Sequence, residues 1–585
     1  MSTRRLTKRC GLCNFKLHGE DIIIVVKEDG EKSGPLPFHP WTRITNDDEV
    51  AQLDNAHPVC PSLDQCAHPF EEGVGCHPSC LRIVDGAPLD RVLQLSAWSF
   101  QPSPRLEKAQ HRWLREELAS RLGTSLPLPA ELRRDVAGHL IQEFVVAKNA
   151  SLSLCDRAAV SNVSVASAIT ETYTTFEGQR YLQSISNAPV SDDSWITPEV
   201  IYVAEDHAGI RQLILANDFI TVSDVPGVWW KSFSVYGSDT SVGFHSDGIK
   251  LRYLSYRDHH GRGKTTRCLP SFSVPRDPEF SPYRYLFSHG PTTEPRQMSV
   301  FRHNDPDIIG YSICCDPAVL AIHTHRRSDD DLSCYESTPE NASWIYMPIK
   351  KDERIEHIWV RRHHSSNDKK ALAFEMNSGR LLFFGRHKTW TLDERKYQWT
   401  PLFTPCGDLG LAPPLFLFDS LVPFCIRELG FDNPCPSFPR SPVLNSAPLS
   451  RPADPEFLDN PHWSCASVED VVEVVPCRQT VKGETMITGL LLHYADGNKA
   501  SLGHMRLDRL DPAIAVDHSQ KLYLGFNKTK DGHSYIAKVE LLTCELDDAM
   551  DEWFEVSWSG TLEWCFSFQE CHVWKSDGQG IGVGD

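Results

Sequence analysis

The hydrophobic rhythm of the chain changes twice. From Pro104 to Leu122, apolar Leu106, Ala109, Trp113, Leu114 and Leu118 recur at three- and four-residue steps, which is the spacing of one helix face. A second helix is predicted after Pro127-Leu128-Pro129, with Leu132, Val136 and Leu140 on one face, continued by Phe144. From about residue 165 the pattern becomes short apolar or alternating runs, such as Val200 to Val203, Ile210 to Leu215, Leu251 to Leu254, Ile355 to Val360 and Leu381 to Phe384. Gly, Asp, Asn and Pro turns separate them, as in sandwiches, prisms and propellers. Upstream of the helices, Ile22 to Val26 reads as a β-branched strand stopped by the Asp29-Gly30 turn.

These patterns predict a multidomain, mainly β protein with a small α segment. The expected division is a Cys/His module at 1–83, a helical region at 84–164, a β-rich domain at 165–433, a linker at 434–462, a second β-rich unit at 463–575 and a disordered tail at 576–585. The linker is expected because eight prolines fall between Pro434 and Pro461, and proline cannot donate to a central ladder. An internal repeat is also visible. Leu372 to Gly379, ending at Gly385, matches Leu490 to Gly497, ending at Gly503. In both, a strand meets a Ser-Gly or Asp-Gly turn and a second glycine follows six residues later.

At 585 residues the chain is too long for one core, and domains of roughly 100–200 residues imply three or four units. Its net charge of −19 argues against a nucleic-acid coat, because phosphate binding needs clustered Lys and Arg. No run approaches the ~20 apolar residues of a spanning helix. The basic start (Arg4, Arg5, Lys8, Arg9) has no apolar segment behind it, so no secretory signal is expected and the expected location is cytoplasm or nucleus.

Candidate chemistry concentrates at the N-terminus. Cys10 and Cys13 form a C-x2-C pair, Cys60 and Cys66 a C-x5-C pair, and Cys76, His77 and Cys80 a C-H-x2-C cluster. A two-residue gap lets one tight turn supply two ligands of a tetrahedral ion. The expected tetrad is Cys10, Cys13, Cys80 and either His77 or Cys76, with zinc as a structural cofactor. Cys60 and Cys66, with His57 or His39, would complete a second site. A buried small hydrophobe is the alternative role of each cysteine. His323-x-His325 ahead of Asp329 to Asp331 is a weaker metal candidate, read chiefly as a strand entering an acidic loop. Trp229, Trp230, Trp344 and Trp359 lie on or beside strands, where a core role outweighs a ligand platform. No catalytic residue is assigned, since the chain has no nucleophile elbow, dinucleotide fingerprint or His-Glu-x-x-His.

Leu128-Pro129-Ala130-Glu131-Leu132-Arg133-Arg134-Asp135-Val136-Ala137-Gly138-His139-Leu140 resembles the opening of an F-box. The resemblance implies that Leu128, Pro129, Leu132, Val136 and Leu140 face the adaptor of a cullin ligase. Residues 148–165 depart from that pattern, being rich in Ser, Asn and Ala and lacking the later apolar helix with its Trp. The order of Cys10-x2-Cys13, Gly75-Cys-His-Pro-Ser-Cys80, the Leu128 segment, Tyr202 to Leu213, Gly227-Val-Trp-Trp230 and Ile355 to Arg362 resembles a family of largely uncharacterised multidomain proteins of filamentous fungi. What it implies is a non-enzymatic, intracellular interaction protein, expected to act as a substrate receptor in ubiquitin ligation. A lectin-like sugar binder and a hydrolase using unrecognised carboxylates are the alternatives.

Overall fold

The computed structural model places the chain in two compact units, Met1–Ser273 with Leu286–Met298, and Val274–Tyr285 with Ser299–Asp585. The described residues leave out 52–73, 257–268, 271–278, 283–296, 386–396, 404–415, 432–461, 543–549, 577–585 and shorter segments. Among the described residues, four helices precede a long succession of antiparallel strands, so the class is mainly β with a small α segment. No helix among the described residues is long and apolar enough to cross a membrane.

The first unit opens on the strand Ile22–Val26, which pairs antiparallel with Leu36–Pro37 and with Val74–Cys76. Alternation along it buries Ile23 and Val25 and leaves Ile22 exposed. Four helices follow: α1 (Pro78–Ile83), α2 (Leu89–Ser96), α3 (Pro104–Leu122) and α4 (Ala130–Ser153). Helices α3 and α4 pack through Leu114, Ile141 and Val145 and through Leu118, Ala119 and Ala137. Val146 of α4 is buried in the same core as Leu12, Ile23, Phe38 and Leu81. The Cys/His segment therefore shares its core with α4.

Three small sheets complete this unit. The strand Ser241–Ser246 lies between Val160–Ser164 and Leu251–Tyr256, Ile169–Phe176 pairs with Gln179–Asn187, and Val200–Asp206 lies between Gly209–Ala216 and Trp229–Ser234. Two of their turns are closed by buried aspartates. Asp206 Oδ1 accepts the Ala208 and Gly209 amides at 2.8 and 3.1 Å, and Asp247 Oδ1 accepts those of Ile249 and Lys250 at 3.0 and 2.9 Å. Phe176, Tyr181 and Ala208 pack with Leu152, and that contact joins the hairpin ends to α4.

In the second unit, Ala466, Val474, Leu490, Leu524 and Trp564 share one core with Phe301, Leu372, Phe418 and Phe431. The strands after the Pro-rich stretch bury apolar side chains in the same core as those before it. The proposed linker at 434–462 and tail at 576–585 fall almost wholly outside the described residues. The repeat is present as geometry. Ala371 pairs with Gly385 and Leu372 with Phe384 in one hairpin, and Gly489 pairs with Gly503 and Leu490 with Leu502 in the other. Gly379 and Gly497 both take positive φ (79° and 81°) in the turn, which glycine adopts without steric cost.

Two histidines of this unit are buried without charge. Desolvation pushes His303 down to about 4 and His504 down to about 3. His504 Nδ1 accepts the Trp344 amide at 3.1 Å, which requires the neutral ring. Above pH 6.5 both are neutral whether folded or unfolded, and their stability contribution is complete. As pH falls below 6.5 the unfolded chain takes up protons that the folded chain refuses, so stability falls toward pH 4 and below. At pH 5 the expected loss is about 2 kcal/mol for each ring. Ring resonances held in the neutral form at pH 5, with a lower urea midpoint than at pH 7.5, would check this. Rings that titrate near pH 6.5 in the folded protein would refute it.

Candidate metal centre

The first half of the centre is a tight loop. Cys10 accepts the Asn14 amide at 2.9 Å, and Asn14 takes a positive φ of 63° to turn the chain back. The Gly11 amide reaches the Gly75 carbonyl at 3.0 Å. A Cβ at Gly11 would come within 2.0 Å of Val74 Cγ1, so only glycine lets the loop lie against the strand Val74–Cys76. Arg9 clamps the loop from outside. Its guanidinium bonds both Glu107 carboxylate oxygens of α3 at 2.7 and 2.8 Å and the Asn14 carbonyl at 2.8 Å. This fork-to-fork geometry is the strong form of such a pair.

The second half is the start of α1. His77 is the extended N-cap residue, Pro78 begins the helix, and Cys80 lies one turn in. The strand Val74–Cys76 delivers His77 beside the Cys10 loop because Ile24 pairs with Cys76. The donor atoms of Cys10, Cys13, His77 and Cys80 all lie within 4.8 Å of one another. Cys13 Sγ and Cys80 Sγ stand 3.6 and 3.7 Å from His77 Nδ1. A tetrahedral ion about 2.3 Å from sulfur and about 2.0 Å from nitrogen sets sulfur-to-nitrogen edges of about 3.6 Å. Three buried thiols and one imidazole at these separations therefore fit a metal ion. No other such group is found among the described residues.

Of the two candidates for the fourth position, His77 turns its ring into the cluster. Cys76 is buried beside it, with its thiol 3.8 Å from the Val74 carbonyl, and is not one of the four mutually close donors. Hydrogen bonds from Cys13, Cys76 and Cys80 push Cys10 down, while donating to Cys10 pushes Cys13 and Cys76 up. The same bonds with Cys10 and Cys80 raise His77 to about 10. Thiol and imidazole ligands bind a metal ion in their deprotonated forms, so an ion entering the cluster releases protons.

Two further residues frame the ligands, and spacing gave no sign of either. Asp21 Oδ2 lies 3.8 Å from His77 Nε2 and accepts the His18 amide at 2.6 Å. Gln142 of α4 brings Nε2 to 2.9 Å from His77 Nδ1 and 3.3 Å from Cys80 Sγ. Cys60 and Cys66, and with them His39 and His57, lie outside the described residues.

The remaining sequence candidates fall elsewhere. Leu128, Leu132 and Leu140 are 38%, 50% and 42% exposed, Pro129 is exposed and Val136 is half-buried. The faces of α4 that carry Ala137, Ile141, Val145 and Val146 are packed instead. Trp229, Trp230, Trp344 and Trp359 are core side chains, which removes them as a ligand platform. His325 Nε2 sits 2.8 Å from the buried Ser312 hydroxyl and 3.2 Å from that of Tyr335, so it belongs to a core polar network. Asp329 to Asp331 lie outside the described residues.

Fold and site together define a β-rich protein with an N-terminal Cys/His group that could hold a metal ion. No protein-family model matches the chain, and no curated protein is similar to it.

Proposed function

We propose that the protein is a non-catalytic, intracellular interaction protein, an F-box-like substrate receptor whose α4 docks on the adaptor of a cullin ligase and whose β units select the target. The observation that carries this reading is the exposed apolar stripe of α4. Residues four apart on a helix are neighbours, so Leu132, Val136 and Leu140 form one row. Leu128 extends that row from the helix entry, and Leu128, Leu132 and Leu140 are exposed although α4 packs on other faces. Large apolar side chains exposed along one helix face suit a protein interaction site. The ion of the metal centre is zinc in this reading. Three thiolates and an imidazole are a zinc set, and four protein ligands leave no position for substrate, so its role is structural.

The test is capture of cullin-ligase adaptor from a host lysate and then with purified adaptor, comparing the chain with its Leu132→Asp/Leu140→Asp variant. The expected result is binding by the natural chain, weakened about 30-fold or more in the variant, as for loss of a hot spot. Because both leucines are exposed, folding stability should change by only about 0.5 kcal/mol for each. Adaptor binding that survives both substitutions, or no binding by the natural chain, would remove the ligase-receptor reading.

A further inference from the structure

We infer that Gln142 is a positioning residue of the metal centre, and that through it the occupancy of the centre governs the order of helix α4. This deepens the proposed function by giving the docking helix a metal-dependent support. It rests on that reading only for its biological meaning, since the geometry stands without the adaptor.

The Gln142 amide reaches two members of the centre at once, His77 Nδ1 at 2.9 Å and Cys80 Sγ at 3.3 Å. When an ion is bound, the Nδ1 lone pair that faces the thiols is committed to it and accepts no proton. A coordinated thiolate keeps further lone pairs, so the Gln142 N–H then has Cys80 as its acceptor. A hydrogen bond to an anionic ligand disperses its charge and fixes its direction. His77 is framed from its other nitrogen, where Asp21 lies 3.8 Å from Nε2. Two ligands of the centre are thereby oriented by side chains from two different elements.

Gln142 is well placed to couple the centre to α4. It lies between Ile141, which packs on α3, and Val146, which enters the core around Leu12 and Ile23. Leu140 stands two residues earlier on the exposed face. Asn149, two turns further along α4, reinforces the attachment through Ser96 Oγ at 3.1 Å. With the ion in place, the middle of α4 is tied to a rigid tetrahedron. Without it, Cys80 and His77 lose their common centre and Gln142 loses a fixed acceptor.

The experiment uses the full chain loaded with zinc or cobalt, together with its Gln142→Leu and Gln142→Lys variants. Dissociation constants are read by competition with a chromophoric chelator, and the cobalt absorption bands report a tetrahedral three-thiolate site. Hydrogen exchange is followed across α4 with and without metal. The natural chain should show slower exchange around Gln142 when loaded. Gln142→Leu should bind metal 10- to 100-fold more weakly, as for loss of an outer hydrogen bond to a ligand. It should also lose the difference in α4 exchange between loaded and stripped forms. Gln142→Lys, which keeps an N–H donor at similar reach, should retain affinity within a few-fold. Equal affinity in Gln142→Leu, equal weakening in both variants, or exchange in the natural α4 that ignores metal would each overturn the inference. Adaptor enters none of these measurements, so failure here and failure of the ligase-receptor reading are separate results.

Discussion

Replacing Cys13 or Cys80 by serine should abolish metal retention and unfold the loop-and-strand module that begins the chain. The module is small, and its hydrophobic core is built from short elements, with Leu12, Leu17, Ile23, Val25 and Leu81 around the cluster. Its two halves, the Cys10 loop and the start of α1, are far apart in sequence and meet at the four donor atoms. Structural metal supplies about 10–16 kcal/mol of apparent binding free energy in the smallest such modules, and that energy is folding energy. Here Val146 of α4 and the Arg9–Glu107 pair also hold the module, so part of the fold should persist around α3 and α4. Metal analysis should therefore fall from about one ion per chain at this centre to essentially none. Exchange should become fast across Arg9 to Val26 and Val74 to Ser96, and faster around Gln142 in the middle of α4. Cys76→Ser supplies the internal contrast, because Cys76 is not one of the four mutually close donors and the variant should keep the ion. Loss of metal from Cys76→Ser, with retention in Cys80→Ser, would reverse the ligand assignment.

The second large effect is expected at Asp247, in the β part of the same unit. Asp247 and Lys250 form an ion pair at 2.8 Å with both side chains 0% exposed. Lys250 Nζ also stands 4.2 Å from the Phe176 ring centre. Burial pushes Lys250 down from its ordinary range, and the Asp247 charge opposes that shift. Asp247→Ala leaves the buried ammonium, and the Arg252 guanidinium 3.7 Å from the same carboxylate, without their shared partner, and removes the acceptor that closes the Ile249–Lys250 turn. Breaking a buried pair from one side costs about 3–5 kcal/mol, and urea unfolding of the first unit should show that loss. Asp247→Ala/Lys250→Met should recover part of it, since the buried ammonium is gone while Arg252 still lacks the Asp247 carboxylate. A loss below about 1 kcal/mol for the single variant would mean that water reaches Lys250 and that the pair is not buried in solution.

Much of this architecture was readable in local spacing. The helix bounds at Pro104 and Leu122 follow from three- and four-residue steps, and alternation identified the β-rich remainder. Glycine spacing announced two hairpins that share a register, because a turn needing positive φ leaves a glycine at a fixed offset. The Cys10, Cys13 and Cys80 ligands were likewise visible, since two-residue gaps are a local geometric requirement.

What spacing could not decide was which distant segments meet. Cys76 and His77 are adjacent in sequence, and the choice between them depends on which side chain the strand pairing at Ile24 turns inward. Gln142 reaches the centre only because α4 packs across α1, and an amphipathic helix carries no mark that singles out one glutamine. Which β-rich stretches share a core depends in the same way on distant packing. Proline between two β-rich stretches signals where a strand cannot continue, but says nothing of whether the faces on either side share a core, as those of Leu372 and Leu490 do. The sequence by itself determined the elements, the turn chemistry and three thiols of the Cys/His group, all of which depend on residues a few positions apart. Tertiary structure alone decided that His77 is the fourth member of that group, the exposure of the α4 leucines and the burial of the Asp247–Lys250 pair, because each depends on segments that the chain brings together only on folding.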